Sequence, residues 1–408
     1  MTDDRAQTYL ILFALWLMMF SASSQVIIVT PILPEISTKL DISEFWQSFL
    51  VGIYSVMLSV FALITGPISD KIGRQRILLI GTGFMAVALA LHTVAQSFIL
   101  LVTMRALAGC AGGMLSGGSV AYVGDYFPYE RRGWANGWIM SGTAFGQVAG
   151  VPLGKILANA FGYRWPFLMF AITMGIATIL IARYVPQPEV ELDDQRLTIR
   201  RALRNYWRMV KNSEVAAAVG SYFLMFFGIG LFVVFLPTWL ENDIGITSTQ
   251  VALLFAIGGA ANVLAAPIAG RASDDMGRKP LVILSCIGLG VIMLVAPFYI
   301  DGFYSAALLF FLAMVTVGMR ISPLQSLLTA LVPGAQRGTL MSLAVGIGQA
   351  GIGLGSFAAG ITFVRYGYIS NTVAAAVSVF LMAWLVYKGL PEPDLNTDSS
   401  EVASAPST

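Results

Sequence analysis

The sequence predicts an all-α polytopic membrane protein with twelve transmembrane helices, arranged as two repeats of six helices. Three observations lead to this fold class. Of the 408 residues, 57% are hydrophobic and 11% are charged, whereas soluble proteins carry about 25% charged residues. Apolar runs of the roughly 20 residues that a helix needs to cross the hydrocarbon layer recur along the chain. The two halves of the chain also match each other in sequence.

Twelve apolar runs define the predicted spans. Each run is continuous rather than alternating and exceeds the length of a barrel strand, so helices are expected. The first run is too long for a signal peptide and lacks a clear small-residue cleavage site, so it counts as a span. The predicted limits are 9–30, 46–67, 76–95, 98–123, 133–158, 164–183, 213–240, 249–270, 280–299, 303–330, 338–361 and 368–388.

The basic residues predict the orientation of the chain in the cell membrane. With a cytoplasmic N-terminus, eighteen of the 24 Lys and Arg residues fall in cytoplasmic loops and four in outer loops. The remaining two, Arg105 and Arg320, lie inside spans. Because cytoplasmic loops carry an excess of Lys and Arg, both termini are expected in the cytoplasm.

The chain divides at its longest polar stretch, at about 184–212. The N-terminal bundle is expected at 1–183 and the C-terminal bundle at 213–390. The linker between them places apolar residues at helical spacing with arginines opposite, which predicts a helix lying on the inner leaflet. The tail at 391–408 has the composition of a disordered segment.

The two halves share a loop motif. GPISDKIGRQR at 66–76 follows the second span and GRASDDMGRKP at 270–280 follows the eighth, and both read G-x-x-x-D-x-x-G-R. In addition, 113–133 aligns without gaps with 318–338, at an offset of 205. Two parallel repeats of this kind typically hold a binding site between them near the middle of the membrane.

On these motifs, roughly residues 8–390 resemble the major facilitator superfamily. Within it, the chain looks most like the twelve-span drug:proton antiporters and the related sugar-efflux permeases. The resemblance implies a secondary transporter that works by alternating access, with spans 1, 4, 7 and 10 lining its cavity. A membrane enzyme or receptor would need clustered His, Asp and Glu residues or a large soluble domain, and the sequence has neither.

The resemblance also implies that the repeated loop is a gate. In the family, the matching aspartate engages the start of a neighbouring helix and a nearby arginine, which latches the halves on the cytoplasmic side in the outward-open state. A carboxylate at a helix N-terminus is favourable by about 0.3–1 kcal/mol. The alternative is an inside-positive loop with ordinary turn glycines. The gating residues are Gly66, Asp70, Gly73 and Arg74, repeated by Asp274, Gly277 and Arg278.

The two arginines inside spans are the main candidates for function, because an intramembrane arginine costs at least about 2.5–3.5 kcal/mol. Arg105 matches the span-4 motif R-x-x-x-G of the family, where the arginine is linked to proton coupling; the alternative is a structural arginine that holds backbone carbonyls of span 1. Arg320 has Leu115 as its repeat mate and no carboxylate in its span. It is predicted to contact an anionic substrate, and the alternative is a snorkelling or carbonyl-paired arginine.

Acidic residues are missing from the predicted membrane interior. All 22 lie in loops or at span ends, and none lies in the middle of span 1, where many drug antiporters keep a proton-carrying carboxylate. A net positive cavity favours an anionic, zwitterionic or neutral polar substrate over a lipophilic cation. Which carboxylate carries the proton stays open, and the candidates are Glu35, Asp70, Asp125, Glu214, Glu241 and Asp274.

Span 5 carries a stripe of glycines at spacing four, which allows close helix packing. It resembles the antiporter motif of span 5, except that Val151 occupies the proline position and Pro152 follows. Generic helix packing is the alternative. The residues of this span-5 motif are Gly142, Gly146, Gly150, Pro152 and Gly154.

Other polar or aromatic residues inside spans are candidates to line the cavity. Each is a weak signal alone, because a polar residue also bonds across helices for about 0.6 kcal/mol. The candidates are Gln25, Tyr54, Tyr222, Phe226, Asn262, Gln325 and Gln349, together with Ser24 and Gln147.

The predicted function is export of a small organic solute by alternating access, in exchange for protons. The alternative is an uptake symporter or exchanger for an organic anion on the same fold. The chain is expected to act as a monomer in the lipid bilayer, on a substrate that is anionic or zwitterionic. One histidine, two cysteines and a net charge of +2 indicate no metal site, no cofactor and no nucleic-acid partner. Without a G-x-x-x-x-G-K-[ST] loop, a nucleotide-driven pump is excluded.

Overall fold

The computed structural model describes residues 2–116, 118–188, 199–332 and 334–392, and within them the chain forms helices joined by short connections. The N-terminal half contains α1 (Thr2–Ile27), α2 (Val29–Leu40), α3 (Glu44–Ile72), α4 (Arg74–His92), α5 (Phe98–Ser116), α6 (Gly118–Tyr126), α7 (Tyr129–Phe145), a π-helical turn (Gly146–Gly150), α8 (Val151–Phe161) and α9 (Arg164–Tyr184). The linker contains α10 (Ile199–Val210). The C-terminal half contains α11 (Ser213–Val233), α12 (Leu236–Asn242), α13 (Ser248–Met276), α14 (Arg278–Tyr299), α15 (Phe303–Ala330), α16 (Gly334–Tyr366) and α17 (Tyr368–Gly389).

The first and seventh spans are each divided into two helices, and proline explains both breaks. Proline has no N–H to donate to the carbonyl four residues earlier. The helix α1 ends at Ile27, four residues before Pro31. The helix α11 ends at Val233, four residues before Pro237. The two repeats therefore interrupt their first helix in the same way.

Eleven helices within the described residues are long and apolar enough to cross a membrane. The predicted span at 133–158 is the exception, since it is built from α7, the π-helical turn and α8. Pro152 again accounts for the interruption, because its ring would clash with the carbonyl of Val148 in a regular α-helix, and Val148 lies within the π turn. Joined end to end, the three pieces complete the twelve predicted spans.

The glycine stripe of span 5 packs directly on the first span. A Cβ atom on Gly142 would lie 2.5 Å from the carbonyl oxygen of Trp16 in α1, and one on Gly146 would lie 2.9 Å from that of Phe20. A Cβ on Gly150 would overlap the side chain of Ser24 in the same helix. Contacts this short leave no room for a larger residue, so the stripe sets the distance between the two spans.

Two seams join the halves. In the first, α3 packs along α16, where the rings of Phe49 and Phe357 have centroids 4.7 Å apart. In the second, α13 packs on the π turn and α8, and a Cβ on Gly259 would lie 3.1 Å from the carbonyl oxygen of Gln147. The helices α2 and α12 also meet. They lie at the end that the charge distribution predicts to face outward, called the outer end here, and the opposite end is the inner end.

The helix predicted in the linker is present as α10. It contacts α3 of the first half and α16 of the second, and the hydroxyl of Tyr206 donates to the carbonyl oxygen of Leu63 in α3 at 3.3 Å. Arg204, Trp207 and Arg208 are exposed. Its placement on the inner leaflet stays a prediction.

Candidate functional site

Arg105 lies in the interior of the N-terminal half, in the middle of α5, with 1% of its surface exposed. Its Nε donates to the backbone carbonyl of Leu50 in α3 at 3.1 Å, and its Nη1 donates to the side-chain oxygen of Gln25 in α1, also at 3.1 Å. The guanidinium therefore joins three helices of the bundle. A longer contact of 3.5 Å reaches the backbone oxygen of Gln25.

Gln25 and Tyr54 complete a polar cluster around this guanidinium, called the central cluster. The amide nitrogen of Gln25 donates to the Tyr54 hydroxyl at 2.9 Å, while Cζ of Arg105 lies 4.4 Å from the centre of the Tyr54 ring. The ring face attracts the cation, and the hydroxyl fixes which way the Gln25 amide points. Both residues were predicted as cavity candidates, and the structure brings them together with Arg105.

The central cluster keeps unused hydrogen-bonding capacity. A guanidinium has five N–H donors, and among the described residues Nη2 of Arg105 has no acceptor. Its known partners are a ring, an amide and backbone carbonyls, all of them neutral. The backbone contacts agree with the structural alternative for Arg105, whereas the free donors and the uncompensated charge suit an incoming acceptor.

The C-terminal half places three of the predicted residues near one another. Tyr222 in α11 is buried and has Gln325 of α15 as a polar neighbour. The ring of Tyr222 lies 6.0 Å from that of Phe226, and Phe226 in turn packs against Gly348 of α16. These contacts join α11, α15 and α16.

The other two cavity candidates of this half have separate surroundings. The side-chain oxygen of Asn262 in α13 lies 3.1 Å from where a Cβ of Gly318 would be, at the contact between α13 and α15. The side-chain oxygen of Gln349 in α16 is buried and has no hydrogen-bond partner among the described residues. Their predicted contacts with substrate stay predictions.

Arg320 lies elsewhere, inside the C-terminal bundle. It is 0% exposed, and none of its three side-chain nitrogens has an oxygen or nitrogen acceptor among the described residues. Its polar neighbour is the thiol of Cys286 in α14. The guanidinium therefore makes no hydrogen bond to the central cluster. Its substrate role stays a prediction.

The loop motif forms a tight turn in both repeats. Gly73 has a φ angle of 101° and Gly277 one of 89°, values that favour glycine. Arg74 pairs with Asp125 of α6 at 2.7 Å and donates to Ser69 at 3.0 Å. The loop of the first repeat is thus held within its own half.

The predicted gating contact of the two aspartates lies outside the described residues. The surroundings of Gly66 and the side chains of Asp70 and Asp274 lie outside the described part of the structure. The role of the two aspartates in a latch between the halves therefore stays a prediction.

The structure adds two residues that the sequence did not indicate. The side-chain oxygen of Gln187 accepts a hydrogen bond from the backbone N–H of Gln75 at the start of α4. The Glu392 carboxylate accepts from the backbone N–H groups of Arg278 and Lys279 at the start of α14, at 2.7 and 2.8 Å. Glu392 fell within the predicted disordered tail, and only its offset of 205 from Gln187 could have indicated the pair.

Two six-helix bundles around a buried polar cluster are the plan of a transporter that moves its substrate between two halves. The family model of the Major Facilitator Superfamily matches residues 15–221 and again residues 218–407. The chain belongs to the major facilitator superfamily. It is therefore a multi-pass membrane transporter and not an enzyme, as the sequence predicted.

The chain is similar to other transporters in sequence and in fold. The chain is 25% identical to the uncharacterized MFS-type transporter YceJ of Bacillus subtilis, over 92% of this chain and 95% of the relative. It is 22% identical to the multidrug resistance protein MdtG of Proteus mirabilis, over 92% of this chain and 96% of the relative. The crystal structure of a D-xylose-proton symporter superposes with a TM-score of 0.79 and 18% identity, over 95% of this chain and 99% of that one.

Proposed function

We propose that this protein exports a small organic solute by alternating access and takes up protons in exchange. The observation that carries the proposal is the central cluster, in which a fully buried guanidinium retains a free N–H group among the described residues. The relative named as a multidrug resistance protein supports the direction of transport. The span-5 glycines packed on α1 support it as well, since they resemble the antiporter motif.

The chemistry of the cluster favours a substrate with an acceptor group. The charge of Arg105 is balanced by neutral neighbours only, namely Gln25, Tyr54 and the Leu50 carbonyl. A carboxylate, a phosphate or a strongly polar oxygen of the substrate would complete the coordination of Nη2 and compensate the charge. A lipophilic cation would meet an uncompensated positive charge. Arg320 is left out of this substrate site, because it belongs to the other half and makes no hydrogen bond to the central cluster.

The second candidate function is uptake or exchange of an organic anion. The same positive cluster favours it, because an anion is the ligand that a buried guanidinium prefers. The two functions share the substrate site and differ in the direction of coupling, so a transport assay separates them.

The test uses the purified protein in vesicles whose lumen corresponds to the outside of the cell. Candidate anionic, zwitterionic and neutral solutes are added to the bath, and an acidic lumen is imposed. We expect solute to accumulate in the lumen and this accumulation to collapse when nigericin dissipates the pH gradient. The Arg105→Gln variant is the matched control for leakage. Solute that is preloaded in the lumen of a parallel sample and leaves it together with protons would reject export and establish uptake.

A further inference from the structure

A buried lysine sits between the two halves at the outer end. Lys155 belongs to α8, and 1% of its side chain is exposed. Its Nζ pairs with a carboxylate oxygen of Glu241 at 3.2 Å, and Glu241 lies in α12 of the other half. The same nitrogen donates to the backbone carbonyl of Pro31 in α2. One ammonium group thus ties both helices of the outer end to span 5.

Glu241 extends this contact to a fourth helix. The oxygen that pairs with Lys155 also accepts a hydrogen bond from Ser248, at the start of α13, at 2.8 Å. The carboxylate side chain is 17% exposed. Two residues from each repeat therefore meet at one centre, called the outer clamp: Pro31, Lys155, Glu241 and Ser248.

Two other ion pairs between described residues each lie within the first half. Lys39 and Glu35 pair at 3.4 Å within α2, with 55% of the lysine side chain exposed. Arg74 and Asp125 pair at 2.7 Å within the first half. An exposed pair contributes little, whereas removal of one partner of a buried pair leaves an uncompensated charge. The burial and placement of Lys155 distinguish it from both.

The clamp is not inherited from the duplication. The repeat mate of Lys155, at an offset of 205, is Gly360 in α16. A Cβ on Gly360 would overlap the Ser48 side chain of α3, so the first seam is closed here by direct helix contact. At the equivalent place the second seam is closed by a charge pair.

The two kinds of closure have different consequences for movement. Two helices in direct contact can slide or pivot against each other. They can separate only by exposing the surfaces with which they fit together. A buried ion pair loses hydration when it forms, and this loss offsets much of its attraction. The ion pair can therefore open at a small net cost in free energy once water reaches it. A depression on the outer surface lined by Glu35, Lys39 and Ser248 lies beside the clamp and gives water this access.

We propose that the Lys155–Glu241 pair is the outer gate of the transporter, and that each transport cycle breaks and re-forms it. The inference rests on the proposed alternating-access function, because an outward-facing state requires α8 and α12 to separate. With the pair formed, the outer end is closed. With the pair broken, Lys155 and Glu241 are hydrated on opposite walls of the open entrance. Both are thus gating residues and not substrate contacts.

The experiment measures the width of the outer end directly. Spin labels at Asn159 and Asn242, exposed residues of α8 and α12, report the distance between the halves in lipid nanodiscs by double electron–electron resonance. The two native cysteines are buried and are replaced by alanine in the background. We expect two distance populations in the parent protein, of which the shorter corresponds to this structure.

Single substitutions should open the gate. Lys155→Met and Glu241→Gln are each expected to raise the ratio of long to short distances by at least roughly tenfold. The charge reversal K155E/E241K should restore the parent ratio, which a folding defect would not do. Lys39→Met removes the exposed pair with Glu35 on the same surface. It is the matched control and should leave the ratio unchanged.

Two results would overturn the gate, and they differ from a failure of the proposed function. Two populations that keep their ratio in both single variants would show that the pair does not hold the outer end. A shift that the charge reversal leaves uncorrected would show the same for the pairing. A single population under all conditions would instead reject alternating access itself. None of these distance measurements requires the transported solute or the coupled ion to be identified.

Discussion

The two halves of this transporter share one arrangement of helices, yet each buries its arginine at a different place. Arg105 of the first half has Phe310 as its repeat mate, and Arg320 of the second half has Leu115. Each half therefore carries a charged side chain at a position where the other half carries an apolar one. The comparison separates what the duplication maintains from what each half has acquired.

At the first of these positions the packing is shared and the chemistry is not. Arg105 lies over the ring of Tyr54, between α5 and α3. In the second half, the ring of Phe310 lies on Gly258, between α15 and α13. The polar cluster of one half is thus an apolar contact in the other, and for this reason the proposed function assigns recognition of a polar group to the first half.

At the second position the charge has no such support. Leu115 packs against Gly81, between α5 and α4. Arg320 occupies the matching place between α15 and α14, beside the thiol of Cys286. Two arginines of equal burial therefore differ in their contacts: Arg105 has an amide, a carbonyl and a ring, and Arg320 has no hydrogen-bond partner among the described residues. Burial of an arginine alone does not identify a substrate contact.

The largest expected effect is on transport, from Arg105. Arg105→Gln should lower the initial rate of solute counterflow by about 30-fold or more, since loss of a buried charged contact costs about 2–5 kcal/mol. Arg105→Lys should recover little, because a lysine cannot reproduce the fork that reaches both Leu50 and Gln25.

Arg320→Gln is the matched control for this measurement and should retain transport within a few-fold. Equal losses in the two variants would break the distinction between the halves. They would return Arg320 to the substrate site that the sequence predicted for it.

The next effect is on stability, from Arg320. Replacing a buried charged group by an apolar side chain of similar volume is often neutral or stabilising, by about 1–4 kcal/mol. Arg320→Met should therefore keep or raise the thermal unfolding temperature in detergent, whereas Arg105→Met should lower it. A clear fall for Arg320→Met would reveal a partner for the guanidinium outside the described residues.

A smaller effect is expected at the ring beside Arg105. Tyr54→Phe keeps the ring under the guanidinium and removes the hydroxyl that accepts from Gln25. One hydrogen bond contributes about 0.5–1.5 kcal/mol, so substrate affinity should weaken by roughly three- to tenfold. Tyr222→Phe tests the equivalent question in the second half. If only Tyr222→Phe weakens binding in counterflow competition, recognition belongs to the second half instead.

The fold was predictable because its signals are local and strong. Long apolar runs, the repeated loop motif and the polar linker define helices and halves without reference to their neighbours. The breaks at Pro31 and Pro237 follow from the same local chemistry. The π turn was less accessible, because it depends on how Pro152 is accommodated within an otherwise continuous helix.

The site was predictable only in part, because contacts between helices depend on their rotation and depth. Gln25, Tyr54 and Arg105 were each candidates, yet their meeting follows from the packing of three helices. The lack of a hydrogen-bond partner for Arg320 among the described residues could not be predicted from its span. Lys155 counted only as a charge at the outer side and Glu241 only as one of six candidate proton carriers, and 86 positions separate them in the chain.

The smallest effect concerns the inner end, where the repeats use related caps of different charge. Gln187 accepts from one N–H at the start of α4, and Glu392 accepts from two at the start of α14. A carboxylate at a helix N-terminus contributes about 0.3–1 kcal/mol more than a neutral group there, because the helix dipole is positive at that end.

Glu392→Gln should therefore speed hydrogen exchange of the Arg278 and Lys279 amides by roughly two- to fivefold, and Gln187→Glu should slow exchange at Gln75 by a similar factor. The double exchange, Q187E/E392Q, should transfer the protection from one repeat to the other. Protection that stays with α14 in the double variant would mean that packing, and not the charge of the cap, distinguishes the two inner loops.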